Sequence, residues 1–281
     1  MSQQVTKIKT RIKSVSSALK VTSAMKLVST VKLKKWKGKM LSYRDYSEEV
    51  ARASEQVLRY AKKVNTPFNV INDAKKNLYI IISSTLGLCG SYNSNIFKLA
   101  DSCIKEEDDA VILGGKGIIH FERGHVNKVE GFNENGTSQD TSFMNSLTSF
   151  VINEYLKGTY HEIHLIYSEY RNSLVFTPRD YKILPLGRQE IDNDDLSYGP
   201  ILEPSGQELV DTLLPIYIKT ILNSKILESE VCEQASRSNA MENATDNAQE
   251  ILDELQIQFN KARQGAITQE ITEIVAAANA L

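Results

Sequence analysis

Val5–Leu19 reads VTKIKTRIKSVSSAL, and its apolar residues Val5, Ile8, Ile12, Val15 and Leu19 step 3, 4, 3, 4. That is the seam spacing of a coiled coil. From Gln3 to about Tyr60 there is no proline and one glycine, Gly38, so the helix can run on, with Val21, Met25 and Val28 carrying a parallel apolar row onward. About 55 helical residues extend ~80 Å, more than a compact domain of this size can bury against itself. Such a helix needs a second long helix. The other end of the chain supplies one: from about Ser205 to Leu281 the only proline is Pro215 and the only glycines are Gly206 and Gly265. There Leu252, Leu255, Phe259, Ala262 and Ala266 repeat the 3, 4, 3, 4 spacing, and Ile267, Ile271 and Ile274 follow.

Charge supports the pairing. The 281 residues carry 33 Lys and Arg against 35 Asp and Glu, a net charge of −2. Residues 1–44 hold 12 basic and no acidic residues, whereas residues 228–281 hold ten acidic residues and only Arg237, Lys261 and Arg263 as bases. Opposite charges flanking one seam favour antiparallel association. A basic, Ser-rich start also imitates a mitochondrial transit peptide, but Lys outnumbers Arg and the periodicity continues past residue 44. No apolar run approaches the ~18 residues of a membrane span. Cys89, Cys103 and Cys232 cannot all pair and show no CxxC spacing, which fits a reducing compartment.

Between the long helices the period changes. Asn77–Ser84 (NLYIIISS) reads as a buried strand, Asn93–Lys105 as a helix and Ala110–Gly114 as a second strand. A short helix at Ile118–Arg123, a strand near Val126–Gly131 and a helix within Gly136–Lys157 follow. Tyr160–Tyr170 and Leu174–Leu186 form a hairpin about Arg171–Ser173, and Gln189–Pro204 is an acidic loop. The fold expected is a long antiparallel coiled coil of N- and C-terminal helices plus a central Rossmann-like α/β domain, its sheet mostly parallel with an antiparallel edge. The domains expected are 1–60, a shaft helix; 75–190, the α/β domain; and 205–281, the second shaft helix.

Chemistry is harder to find. Leu86–Ser91 (LGLCGS) follows a strand, where an α/β protein can cradle phosphate, but it lacks the Lys-Ser/Thr of a P-loop and the dinucleotide glycine spacing. Gly114, Gly115, Lys116 and Gly117 are equally short of a motif. Both read as structural turns. His161-Glu162-Ile163-His164 is not HExxH, and on a strand positions i and i+3 face opposite ways, so these read as edge-strand polar residues. Cys89 has no catalytic signature around it. Lys32, Lys34, Lys35, Lys37 and Lys39 around Trp36 invite a nucleic-acid test, but the opposite helix face is a seam, and a solvated or partner-facing basic surface is preferred.

Ser238–Leu281 (SNAMENATDNAQEILDELQIQFNKARQGAITQEITEIVAAANAL), Val21–Lys35 (VTSAMKLVSTVKLKK) and the loop Gly87–Gly90 (GLCG) together resemble the gamma subunit family of F-type ATP synthases, the central rotor shaft. The resemblance spans nearly the whole chain and is weakest from about 120 to 200. It implies a non-catalytic shaft inside a ring of alpha and beta subunits, which themselves bind ATP, ADP and Mg; no cofactor is expected on this chain. It implies an epsilon-type subunit and a membrane c-type ring as further partners, one copy per complex, and no nucleic acid. It places contacts with the ring on Met25, Arg263, Gln264, Thr268 and Glu270, and a foot near the membrane rotor ring at Pro200, Ile201, Leu202 and Glu203. It implies peripheral attachment on the cytoplasmic side of a bacterial membrane or, alternatively, the matrix side of the mitochondrial inner membrane.

Two departures stand out. The family commonly has Asp followed by Arg or Lys before the glycine loop, where this chain has Thr85 and Leu86, and Trp36 is not a family mark. An F1-like motor with another output remains an alternative, as does a freestanding α/β binding module or enzyme with helical arms.

Overall fold

The computed structural model describes all residues except 1–2, 61–65, 123, 125, 133–136, 139, 187–202, 204 and 280–281. The chain gathers into two compact units, Met1–Val31 with Arg237–Leu281, and Lys32–Ser236. Helix α1, Gln3–Tyr60, contributes to both, as does helix α5, Gly206–Asn279.

In the first unit α1 and α5 lie side by side and antiparallel. Thr22 meets Thr245 (3.0 Å between hydroxyls), Lys26 meets Glu242 (2.7 Å) and Thr30 meets Ser238 (3.0 Å), one number rising as the other falls. On α1 the covered positions include Val5, Ile8, Ile12, Val15 and Leu19, then Thr22, Met25, Lys26 and Ser29. On α5 they include Ala248, Leu252, Leu255, Phe259, Ala262 and Ala266. The seam is thus the one its spacing predicts, and the parallel row lies outside it. Val21 and Val28 are 58% and 55% exposed and do not continue it. Val21 is two residues beyond Leu19, roughly 200° round the helix, so it points away from the partner. The 3, 4 step from Leu19 instead lands on Thr22 and Lys26, and small Ser29, 2% exposed, lets the helices approach.

The second unit is built on a sheet in the order β3-β2-β1-β4-β5. The strands are β1 (Leu78–Ile82), β2 (Asp109–Leu113), β3 (Asn127–Lys128), β4 (Ile163–Tyr170) and β5 (Phe176–Leu184). All neighbours pair in parallel except the β4–β5 hairpin, as the strand–helix alternation predicts. Helices α2 (Tyr92–Cys103), α3 (Gly115–Phe121) and α4 (Thr141–Leu156) connect the parallel strands. Side chains on β1 alternate between two cores. Leu78, Ile80 and Ile82 face the core holding Leu147 and Val151 of α4 and the α5 row Val210, Leu214, Ile218, Leu222 and Ile226. Tyr79 and Ile81 face the core of α2 and α3, with Ile96, Ala100, Ile118 and Phe121.

Three local expectations shift. The helix read at Ile118–Arg123 starts three residues earlier, and the strand read at Val126–Gly131 keeps only Asn127 and Lys128 in the ladder. The strand β4 that carries His164 is interior, with β5 outside it, so the histidine is not an edge residue. The β5 strand is long enough to cover it because the hairpin register continues to Ile163 opposite Leu184.

Candidate functional site

The glycine turns after β1 and β2 are the obvious places to look for ligand chemistry, and the donors of the second are committed internally. Ser83 follows β1 and its backbone N–H donates to Leu113 O (2.8 Å). Its hydroxyl donates to Leu113 O (2.8 Å) and accepts from Gly117 N (2.9 Å). Lys116 N donates to Ser84 O (3.0 Å), and Ile118 N to Gly114 O (3.3 Å). The amides that open α3 therefore hold the end of β1 and do not face an open phosphate site. Around Cys89 the loop is fastened to its neighbours. Asn93 Nδ2 donates to Ser84 Oγ (2.7 Å) and Cys89 Sγ (3.3 Å), and Ser236 Oγ on α5 donates to Cys89 O (2.6 Å). The Cys89 side chain is 2% exposed and shares a small core with Tyr92 and Cys232. The structural-turn reading accounts for these contacts, including the positive φ of 61° at Leu88.

The histidines of HEIH are similarly engaged. His161 Nδ1 meets Asn72 O at 2.7 Å. His164 lies between Asp180 (2.8 Å) and Glu162 (3.0 Å) and stacks on Tyr79. Burial alone would lower its pKa, but the two carboxylates outweigh it and the net shift is upward. Among the described residues no cluster of three or more His, Cys, Asp or Glu can hold a metal ion.

One buried acid escapes any sequence pattern. Glu230 on α5 accepts from Ser138 N (3.1 Å) and Ser138 Oγ (2.7 Å). Burial drives its pKa to about 7, and the neighbouring Glu233 also raises it, against the pull of the Ser138 bonds and of Lys39 on α1. Its only sequence signal is a charge inside the covered stretch of α5.

The rod carries the other candidates. Arg263, Gln264, Thr268 and Glu270 are exposed on α5, while the neighbouring Ala262 and Ala266 are partly covered in the seam. Thr268 Oγ1 donates back to Gln264 O (3.0 Å). Met25 is half-buried on α1. Every residue from Ile267 to Ala278 is exposed, including Ile267, Ile271, Ile274 and Val275. On α1, Val21, Leu27, Val28 and Val31 form an exposed apolar face away from the seam. Trp36 is half-buried with Lys39 Nζ 5.4 Å from its ring centroid, so the aromatic within the basic run is a packed residue. Pro200, Ile201 and Leu202 lie outside the described residues, and Glu203 is exposed.

A rod of two antiparallel helices and a 3-2-1-4-5 α/β sheet in one chain is a specific combination, and known proteins share it. A chain in the Euglena gracilis mitochondrial ATP synthase (OSCP/F1/c-ring) matches with a TM-score of 0.65 and 16% identity, over 99% of this chain and 94% of that one. A chain in the central stalk/c-ring structure of the Tetrahymena thermophila mitochondrial ATP synthase matches at 0.54 and 21%, over 80% and 99%. By sequence, the ATP synthase gamma chain of Mesoplasma florum is 36% identical over 98% of this chain and 97% of its own length. That of Mycoplasma capricolum is 35% identical over 97% of each. A family model described as ATP synthase matches residues 4–281. With full-length relatives at this identity and the rod and sheet in place, the chain belongs to the ATP synthase gamma chain family.

Proposed function

We propose how this chain carries out the central-stalk role that its family gives it in an F-type ATP synthase. Rotation of the rod passes three surrounding catalytic subunits through different conformations, because an asymmetric shaft favours a different state at each contact. The observation that carries this reading is the exposed stretch Ile267–Ala278, which continues past the last covered seam position, Ala266. A slim, Ala-rich end with Ile267, Ile271, Ile274 and Val275 outward suits a bearing that slides in an apolar sleeve. Directional contacts are then assigned to Arg263, Gln264, Thr268 and Glu270 on α5 and to Met25 on α1. The foot at residues 200–203 and the α/β unit are assigned to the epsilon-type subunit and the membrane ring, with nucleotide and Mg held by the alpha and beta subunits. Among the described residues no helix is long and apolar enough to cross a membrane, so attachment falls to those partners. Bacterial relatives favour the cytoplasmic side of a cell membrane.

The test is the double substitution Arg263→Ala and Gln264→Ala. Ala keeps helix propensity while removing a guanidinium and an amide from the exposed face. Charge-assisted hydrogen bonds are worth ~1.5–3 kcal/mol, so ATP synthesis coupled to ion flow should fall by about tenfold in an assembled complex. Coupled synthesis and load tolerance both equal to those of the parent would remove these two residues from the torque path.

A further inference from the structure

The imidazole of His164 is engaged at both ring nitrogens, and both partners are carboxylates. Nδ1 meets Asp180 Oδ1 at 2.8 Å and Nε2 meets Glu162 Oε2 at 3.0 Å. A neutral imidazole has one N–H and one bare nitrogen, and a bare nitrogen cannot bond to an ionised carboxylate, which only accepts. Both contacts together therefore require the doubly protonated ring. Burial works against that charge, and the two carboxylates overcome it, so the folded pKa lies above the ordinary 6.5.

The sheet positions the ring. Glu162, just before β4, and His164 are two residues apart and point to one face. Asp180 and Lys182 are likewise two apart on β5, with Lys182 opposite His164 in the hairpin register. The ring stacks on Tyr79 of β1 (5.1 Å between centroids), and the His164 side chain is only 12% exposed. Lys182 Nζ reaches Glu162 Oε1 at 3.3 Å, so Asp180, His164, Glu162 and Lys182 alternate in sign across the hairpin. The remaining groups on this side lie by the Tyr79 hydroxyl: Cys103 of α2, whose carbonyl accepts from it, and Asp108 before β2. Asp108 accepts from the backbone N–H groups of Asn77 and Lys105, and burial pushes the Tyr79 pKa up to about 12, so that ring stays neutral.

We propose that His164 is a proton-operated latch on β5, the edge strand that is paired on one side only. With the proton in place, each carboxylate has a cation and the charges of the four side chains cancel. Without it, one carboxylate loses its donor, one negative charge is left in excess, and Asp180 and Glu162 repel across the hairpin. The latch is complete below pH 6.5 and is lost as pH rises through the raised folded value.

The test is NMR of the full-length chain between pH 6 and 9, in a Glu230→Gln background because that buried acid titrates in the same range. The His164 ring signal is assigned by its absence in His164→Gln, and amide exchange is corrected for its intrinsic pH dependence. His164 should titrate above 6.5, and protection of the β5 amides should fall about threefold or more along the same curve, while β1 and β2 stay level. Asp180→Asn should lower the proton affinity of His164 about tenfold and carry the fall in protection to lower pH with it, a shift that a merely structural contact would not produce. His164→Gln, neutral throughout, should make β5 protection independent of pH. A His164 titrating at or below 6.5, β5 protection level across its titration, or an unchanged midpoint in Asp180→Asn would overturn the proposal.

Discussion

Gly114→Ala should destabilise the α/β unit by about 3 kcal/mol or more, enough to compromise a marginally stable domain. Gly114 adopts φ +96°, a region that L side chains rarely enter. An added Cβ would also overlap the Ser83 carbonyl oxygen and lie 2.6 Å from its carbon, both backbone atoms that cannot rotate away. Ser83 is held by Leu113 and Gly117, so the strain reaches β1, β2 and the start of α3 together. Gly87→Ala is the matched control. Its Cβ would meet only the flexible end of Lys116, with Cε at 3.3 Å, and should cost less than about 1 kcal/mol. Urea unfolding of both variants separates the cases, and equal midpoints would show that β1 and β2 relax freely at this junction.

Glu230→Gln should alter the dependence of stability on pH. The carboxyl has a pKa of about 7 in the folded chain against 4.5 ordinarily, so the folded state holds its proton more tightly than the unfolded state. Stability from this group is complete below about pH 4.5 and is lost as pH rises through 7. The loss is on the order of 3 kcal/mol for a shift of this size. Gln stays neutral, can still accept from Ser138 N, and leaves Ser138 Oγ free to reverse its role. The variant should therefore match the parent near pH 4.5 and exceed it above pH 8. His164 adds a slope of the same sign above its ordinary 6.5, since its folded pKa is raised too. That slope is common to both proteins and cancels in the difference. A variant weaker than the parent by a constant amount at every pH would contradict the buried-acid assignment.

The rod was the most legible part of the molecule, because seam spacing is a local property of helix geometry. Leu252, Leu255, Phe259, Ala262 and Ala266 are covered while their neighbours are exposed. The exposure of Val21 and Val28 has the same root: both are apolar, but the 3, 4 step from Leu19 lands on Thr22 and Lys26. Residue type and phase disagreed there, and phase decided. The sheet was legible from Val- and Ile-rich runs between glycines. What stayed hidden was that α5 is a core helix before it is a rod helix. Its i, i+4 row from Val210 to Ile226 packs on the sheet, a contact between segments far apart in sequence. The Ser138–Glu230 clasp was hidden for the same reason. A solvated helix glutamate and a buried one look alike until the fold brings a hydroxyl and an amide to one of them.

Rotation itself tests the central claim most directly. The chain, carrying Cys103→Ser and a single optical probe at Glu106→Cys on the exposed surface of its α/β unit, is assembled with the alpha and beta subunits proposed as its partners, fixed to a support. With ATP supplied, the account predicts that the probe turns repeatedly in one direction, in discrete steps, and stops when ATP is exhausted. ATP hydrolysed at full rate while the probe of an intact assembly stays at one angle would contradict it.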